Sequence, residues 1–298
     1  MNNYIKNIVE SFNFNNINDV PSSAENISNI LKYDILDLID MGLPSGTLWC
    51  KYNAGVDHNY VKSKKIDVGP GYYKHWQGEL CSWGETFPSV HSLVNFEKGG
   101  VKNQFDWHNY KYTQSDDYET EDSKLSHRLT KYCSKRFYGK DFTKDNLRIL
   151  ETIDDEAAFD ALQWKYPYKV KLPTSKDYLE LLKYTNKELL SDRFIDGLLL
   201  TSKINGAELF FPFTGLMNGP FHQDDYCSGH YWCADLYTDE PILAYSFNFG
   251  SFLKIVDKSL TDKNIMDEKI EASEFKQDLG TILTYERYKG LAIRGILA

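Results

Sequence analysis

Residues 227–235, "CSGHYWCAD", place two cysteines, a histidine and a tryptophan within nine positions. Two readings compete for them. They are a thiol or metal site, or they are packed scaffold whose neighbours carry the function. The choice between them turns on the rest of the chain. Downstream, "LAYSFNF" (243–249) sets Leu243, Tyr245, Phe247 and Phe249 against Ala244, Ser246 and Asn248. That alternation predicts a strand with one buried face. Upstream, "GLLLTSKINGAELFFPF" (197–213) holds Asn205-Gly206 between two apolar runs, the strongest short-range signal for a hairpin.

Further out, "LPTSKDYLELL" (172–182) predicts a helix. Thr174 suits the N-cap, Asp177 stands three residues on as in a capping box, and Tyr178, Leu181 and Leu182 follow. "DDEAAFDALQW", Asp154 to Trp164, opens with acids and continues in helix formers, which predicts a second helix. The ending "LAIRGILA" is strand-like, residues 113–124 form a polar acidic loop, and the charged stretch 257–280 reads as a partly helical insertion. The class expected is α+β.

Composition narrows the function classes. A 298-residue chain buries roughly 75% of its unfolded surface and needs no staples. Its net charge of −9 lacks the basic face that phosphate backbones require, so no nucleic-acid partner is expected. No apolar run reaches the length of a membrane span, and no membrane partner is expected. The start, "MNNYIKNIVESFNFNNIND", lacks the basic-then-apolar order of a secretory signal. Five widely spaced cysteines with no CxxC pair read as reduced thiols rather than a disulfide framework or zinc cluster.

The first 39 residues differ in texture. Ile5, Ile8, Val9 and Phe12 recur at helical spacing, and Asn-rich sequence with a Pro21-Ser22-Ser23 break follows. A stripe on so short a piece cannot make its own core, so it is expected to dock, either on its own domain or on a partner. The expected organisation is therefore 1–39 as an anchoring or oligomerisation segment and 40–298 as a globular domain.

Several motifs occur in an order that resembles one family. "DMGLPSGTLWC" (40–50) and the "WGET" of "GELCSWGETFP" (78–88) are followed by the helix after Asp154 and "VKLPTSKDYLELL" (170–182). Next come "SKINGAELFFPFTGLMNG" (202–219), "SGHYWCAD" (228–235) and "YKGLAIRGILA" (288–298). The run is similar to that of the Fibrobacter succinogenes major paralogous domain family, with its "DLGLPSGTLWA", "WGET", "W-R-[LM]-P-T", "NG" hairpin, "YWSS" and closing "VRPV". The resemblance implies an α+β, C-type-lectin-like fold, related to formylglycine-generating enzymes, with two helices and short twisted antiparallel sheets. The 257–280 insertion, the N-terminal extension and "IRGI" in place of "VRPV" depart from the pattern.

A formylglycine-type oxidase needs a close cysteine pair for copper, and Cys227 with Cys233 invites comparison. Cys233, however, stands where the family has the first serine of "YWSS", a small packed position in which a cysteine is inert. A metal site from His222, Asp224, Asp225 and His230 lacks any HxxxH or HExxH spacing. The calcium-binding runs of true C-type lectins are missing, no two acids stand out as a hydrolase pair, and "GPGYY" (69–73) lacks the Lys and helix of a phosphate loop. No cofactor or catalytic residue is expected.

Residues 217–240, "MNGPFHQDDYCSGHYWCADLYTDE", instead have the Asn, Asp, His and Tyr content of an adaptable binding surface. The candidate patch is Phe221, His222, Asp224, Asp225, Tyr226, His230 and Tyr237, with Trp232 assigned to the core. The resemblance implies a virion protein of a Bacteroidetes-infecting bacteriophage. It would be a head or tail fibre or decoration, a dimer or trimer held to other virion proteins through residues 1–39, presenting its domain to a host glycan or protein. The alternatives are a bacterial surface adhesin or lipoprotein of the same family and, from another class, the oxidase.

Overall fold

A computed structural model describes residues 38–54, 56, 77–85, 104–113, 128–150, 171–191, 196–224, 227–252 and 276–297. The Ile5–Phe12 stripe, the helix expected at 154–164, most of the acidic loop and residues 257–275 of the insertion lie outside them. So do Asp225 and Tyr226.

The stretch Cys227–Asp235 turns out to be the middle of the molecule. Strand β9 (Ser228–Leu236) is the third strand of a five-stranded sheet with the order β11-β10-β9-β12-β3. Its neighbours are β10 (Leu243–Phe252), β11 (Lys276–Glu286), β12 (Leu291–Ala292) and β3 (Leu80–Cys81). All pairings in it are antiparallel except β9 with β12. A second sheet has the order β1-β2-β13, from Leu38–Asp40, Leu48–Asn53 and Arg294–Leu297. A third has the order β4-β5-β6, from Thr185–Ser191, Asp196–Ser202 and Glu208–Pro212. Strands β7 (Leu216–Asn218) and β8 (Phe221–Gln223) form a separate hairpin.

Helix α1 (Ser175–Lys183) has the capping box expected of Thr174 and Asp177. The Asp177 carboxylate accepts from the Thr174 backbone N–H at 2.7 Å, while Thr174 Oγ1 accepts from the Asp177 N–H at 3.3 Å. Tyr178, Leu181 and Leu182 turn into the core.

The two-helix, C-type-lectin-like α+β expectation is corrected here. Strands dominate the described residues, and α1 is their one α-helix. Two segments rich in helix formers are strands. "TNKELLS" is β4 and pairs with β5 from Thr185↔Ser202 to Ser191↔Asp196. Residues 276–280, at the end of the expected part-helical insertion, belong to β11 and pair with β10. Sheet partners override weak local propensity at both places.

The five-stranded sheet is buried on both faces, which corrects the one-sided reading of "LAYSFNF". Tyr231, Cys233, Phe247 and Phe249 enter a core cluster with Trp49, Tyr178 and Phe211. Trp232, Ala234, Leu236 and Ala244 enter another with Trp83, Tyr110, Tyr112 and Tyr132. Phe211 alone meets the rings of Trp49, Tyr178, Tyr231, Phe247 and Phe249 within 6.3 Å.

The motif residues that carry the family resemblance act as fasteners in this frame. Asp40 accepts from the Gly42 N–H at 2.7 Å, and Gly42 holds a φ of 66°, a conformation that favours glycine. The Asn205 amide donates to the Asp40 carbonyl at 2.8 Å and Ser202 Oγ to that of Met41 at 2.7 Å, so the first motif is tied to the Asn205-Gly206 turn. Trp83 and Trp232 exchange bonds: Trp83 Nε1 donates to the Cys233 carbonyl at 2.9 Å, and Trp232 Nε1 to that of Cys81 at 2.8 Å.

Among the described residues, Arg287 and Arg294 are wholly buried without a carboxylate partner. Arg287 donates to Tyr110 Oη and to the carbonyls of Lys131, Tyr132 and Pro241, and lies over the rings of Trp83, Tyr110 and Tyr112. Arg294 donates to Asn53 and to the carbonyls of Cys50, Lys51 and Phe210.

Candidate functional site

The residues expected to form one binding patch fall into three environments. Phe221, His222 and Asp224 are together. "LMNGPFHQ" is a hairpin, with Leu216↔Gln223, Met217↔His222 and Asn218↔Phe221 paired across a turn in which Gly219 has a φ of 58°. Gly219 and Pro220 are the two central residues of this turn, and a glycine at the first of them is a hairpin signal that the sequence carries.

The hairpin is held at both ends. His222 Nε2 donates to the Thr214 carbonyl at 2.8 Å, and the Asn218–Phe221 turn is bridged through Gly219 to Phe105. Phe221, next to this tether, is 68% exposed. Asp224 takes a φ of 57°, which Asp tolerates better than most residues. Its carbonyl accepts from the backbone N–H groups of Cys227 and Ser228, both at 3.2 Å, and its side chain is exposed.

His230 is not part of that surface. It is 1% exposed and sits on the same sheet face as Trp232. The amide of Asn248 donates to the carbonyl and to Oγ of Ser246, each at 2.9 Å, so Asn248 Oδ1 faces His230 Nδ1 at 2.7 Å. Nδ1 therefore carries the proton. Nε2 is left to accept from Ser228 Oγ, also at 2.7 Å. Burial holds the imidazole neutral, with its pKa lowered to about 4.

The Ser228–His230–Asn248 chain has the connectivity of a base-activated serine. Ser228 is 1% exposed, and its hydroxyl is also 3.2 Å from the Asp224 carbonyl. A reacting carbonyl has no way to it while this turn is in place. The chain is an internal polar brace under the hairpin edge.

Tyr237 lies at the other end of β9. It follows Leu236, nine residues beyond Ser228, which is roughly 30 Å at the rise of a strand. It is half-buried and meets the Tyr245 ring edge-on at 5.8 Å. It therefore cannot share a small ligand with Phe221.

The cysteines of the opening stretch are also apart. Cys227 and Cys233 are six residues apart along nearly continuous strand, roughly 20 Å by strand rise, too far to share a metal ion. Cys233 is fully buried, and burial drives its thiol well above the ordinary pKa, so it is no nucleophile. It packs in the core cluster that holds Tyr231 and Phe247. Among the described residues, no group of three or more His, Cys, Asp or Glu side chains is arranged to hold a metal ion.

The chain matches no protein-family model, no curated protein and no solved structure with which it was compared.

Proposed function

We propose that the chain is a non-catalytic attachment protein, a head or tail fibre or decoration subunit of a bacteriophage virion, that presents the Phe221–Asp224 edge to a glycan or protein on a host surface. The observation that carries this reading is Phe221, 68% exposed on a hairpin that His222 pins to Thr214. An aromatic ring displayed on a fixed backbone loses little freedom on binding, which is how small sites obtain useful affinity. Exposed Asp224 and Gln223 beside it supply hydrogen-bond acceptors and donors. The order of sequence motifs supports the virion assignment, with residues 1–39 as the attachment to other virion proteins and a dimer or trimer as the assembled form.

The test is binding of the purified full chain to host cells and to a panel of surface glycans, with Phe221→Ala and Asp224→Ala alongside. Neither side chain contributes to the described core, so both variants keep the parent melting temperature. Binding weaker by roughly tenfold for Phe221→Ala supports the reading. Undiminished binding by both variants overturns the assignment of this edge.

A further inference from the structure

A second concave feature lies away from the hairpin, between the β1-β2-β13 sheet and the outer face of the β4-β5-β6 sheet. It is a cleft of about 200 Å³. The alternation in β5 and β6 sends Leu198, Leu200, Leu209 and Phe211 into the core, and leaves Leu199 and Phe210 on the opposite side. These two are a cross-strand pair. An apolar pair on the outward face of a sheet is unusual, since that face is where polar residues are expected. Tyr52 of β2 lines the other wall.

The charge around this apolar space is asymmetric. Arg294 lines it and is 1% exposed. Its Nε donates to Asn53 Oδ1 at 2.8 Å, Nη1 to the carbonyls of Cys50 and Lys51 at 2.9 and 2.7 Å, and Nη2 to that of Phe210 at 3.0 Å. Four of the five guanidinium N–H groups are thereby used. Every acceptor is neutral, so the buried positive charge has hydrogen bonds but no counter-ion. Lys51 adds a second cation at the exposed rim, its ammonium 5.4 Å from the centre of the Tyr52 ring. Glu208 is exposed on the β6 side and makes no ion pair with Lys51.

We propose that this cleft binds a small apolar carboxylate, its hydrocarbon or aromatic body against Leu199, Phe210 and Tyr52 and its anionic end toward Arg294 and Lys51. The apolar walls take the body out of water, and the uncompensated guanidinium favours an anion over a neutral or cationic group of the same shape. Arg294 is buried beneath the cleft and held by four bonds, with the Tyr231 hydroxyl beside it, so it acts on the ligand through its charge, while exposed Lys51 at the rim is free to make the direct contact.

The test uses three probes of one shape, 4-phenylbutyrate, 4-phenylbutyramide and 4-phenylbutylamine, titrated calorimetrically into the full chain. The carboxylate should bind, the amide should bind roughly tenfold more weakly, and the amine should not bind. Leu199→Trp fills the cleft and should abolish binding of the carboxylate. Lys51→Gln changes an exposed residue on β2 and should weaken it several-fold with an unchanged melting temperature, so the test survives if the tryptophan variant misfolds. Glu208→Gln should leave carboxylate binding intact or strengthen it. Equal binding of acid and amide, no binding of the acid at about 10 mM, loss of acid binding in Glu208→Gln, or full affinity in Lys51→Gln would each overturn the proposal.

Discussion

The indole N–H of Trp232 donates to the backbone carbonyl of Cys81 at 2.8 Å, across 151 residues of sequence. Trp83, two residues beyond Cys81, returns the bond to the Cys233 carbonyl. The "WGET" and "YWCAD" motifs thus lock each other through paired indoles, and both rings belong to the same buried cluster. Replacing either tryptophan with phenylalanine keeps most of the apolar volume but leaves a buried carbonyl without its donor. Each single variant should lose about 1–3 kcal/mol of stability in urea titration. If the two bonds act as one clamp, the double variant should lose less than the sum.

His230 gives the protein a pH dependence of definite sign. Its folded pKa of about 4 lies below the ordinary histidine value near 6.5, because burial disfavours the charged ring. The unfolded chain therefore takes up a proton that the folded one refuses. The contribution is fully present above about pH 6.5 and is lost as pH falls toward 4, amounting to about 3 kcal/mol over that window. The facing charges are Asp224, which favours the charged ring, and Lys289, which opposes it. In His230→Gln the stability slope between pH 6.5 and 5 should flatten relative to the parent, above the range where carboxylates dominate. Identical slopes would show that His230 titrates alike in the folded and unfolded chains, against a neutral buried ring.

Arg287 should be among the least replaceable residues. Removing its guanidinium strips donors from Tyr110 and from the carbonyls of Lys131, Tyr132 and Pro241, all at once. Arg287→Met should cost about 3–5 kcal/mol, as when one side of a buried charged network is deleted. Arg287→Lys should recover little of this. An ammonium cannot reach acceptors spread around a planar fork, nor lie flat against the Trp83 ring, whose centre is 4.8 Å from the guanidinium carbon. Calorimetric melting of the two variants checks both statements.

What could be read from the sequence was what is encoded locally. The Thr174–Asp177 capping box, the Asn205-Gly206 hairpin and the strands 243–249 and 294–297 each announce themselves within a dozen residues, and each is found. β4 and the start of β11 do not: Lys187–Leu190 and Lys276-Gln277 are of types that favour helix, and their partners β5 and β10 make them strands. Ser246 and Asn248 carry polar side chains that suggest solvent, yet both are buried: Asn248 is satisfied by His230 of another strand, and Ser246 by Asn248 and the Leu283 carbonyl. The candidate edge was legible by composition. Its division into an exposed Phe221, a buried His230 and a distant Tyr237 depends on the direction and length of β9, which composition does not contain.

The register of β12 and β13 has a bearing on how the chain reaches this structure. β12 is the strand that joins β9 to β3, and β13 pairs with β2, with Arg294 bonded to Asn53 from 241 residues away. Neither sheet can close until residues 291–297 have been synthesised and have left the ribosome. Until then β3 and β9 present unpaired edges, and the aromatic interior between them stands open to water and to neighbouring chains. Such distant pairings make folding slow. A chain lacking residues 291–297 would keep those edges open and be prone to pair with its own copies.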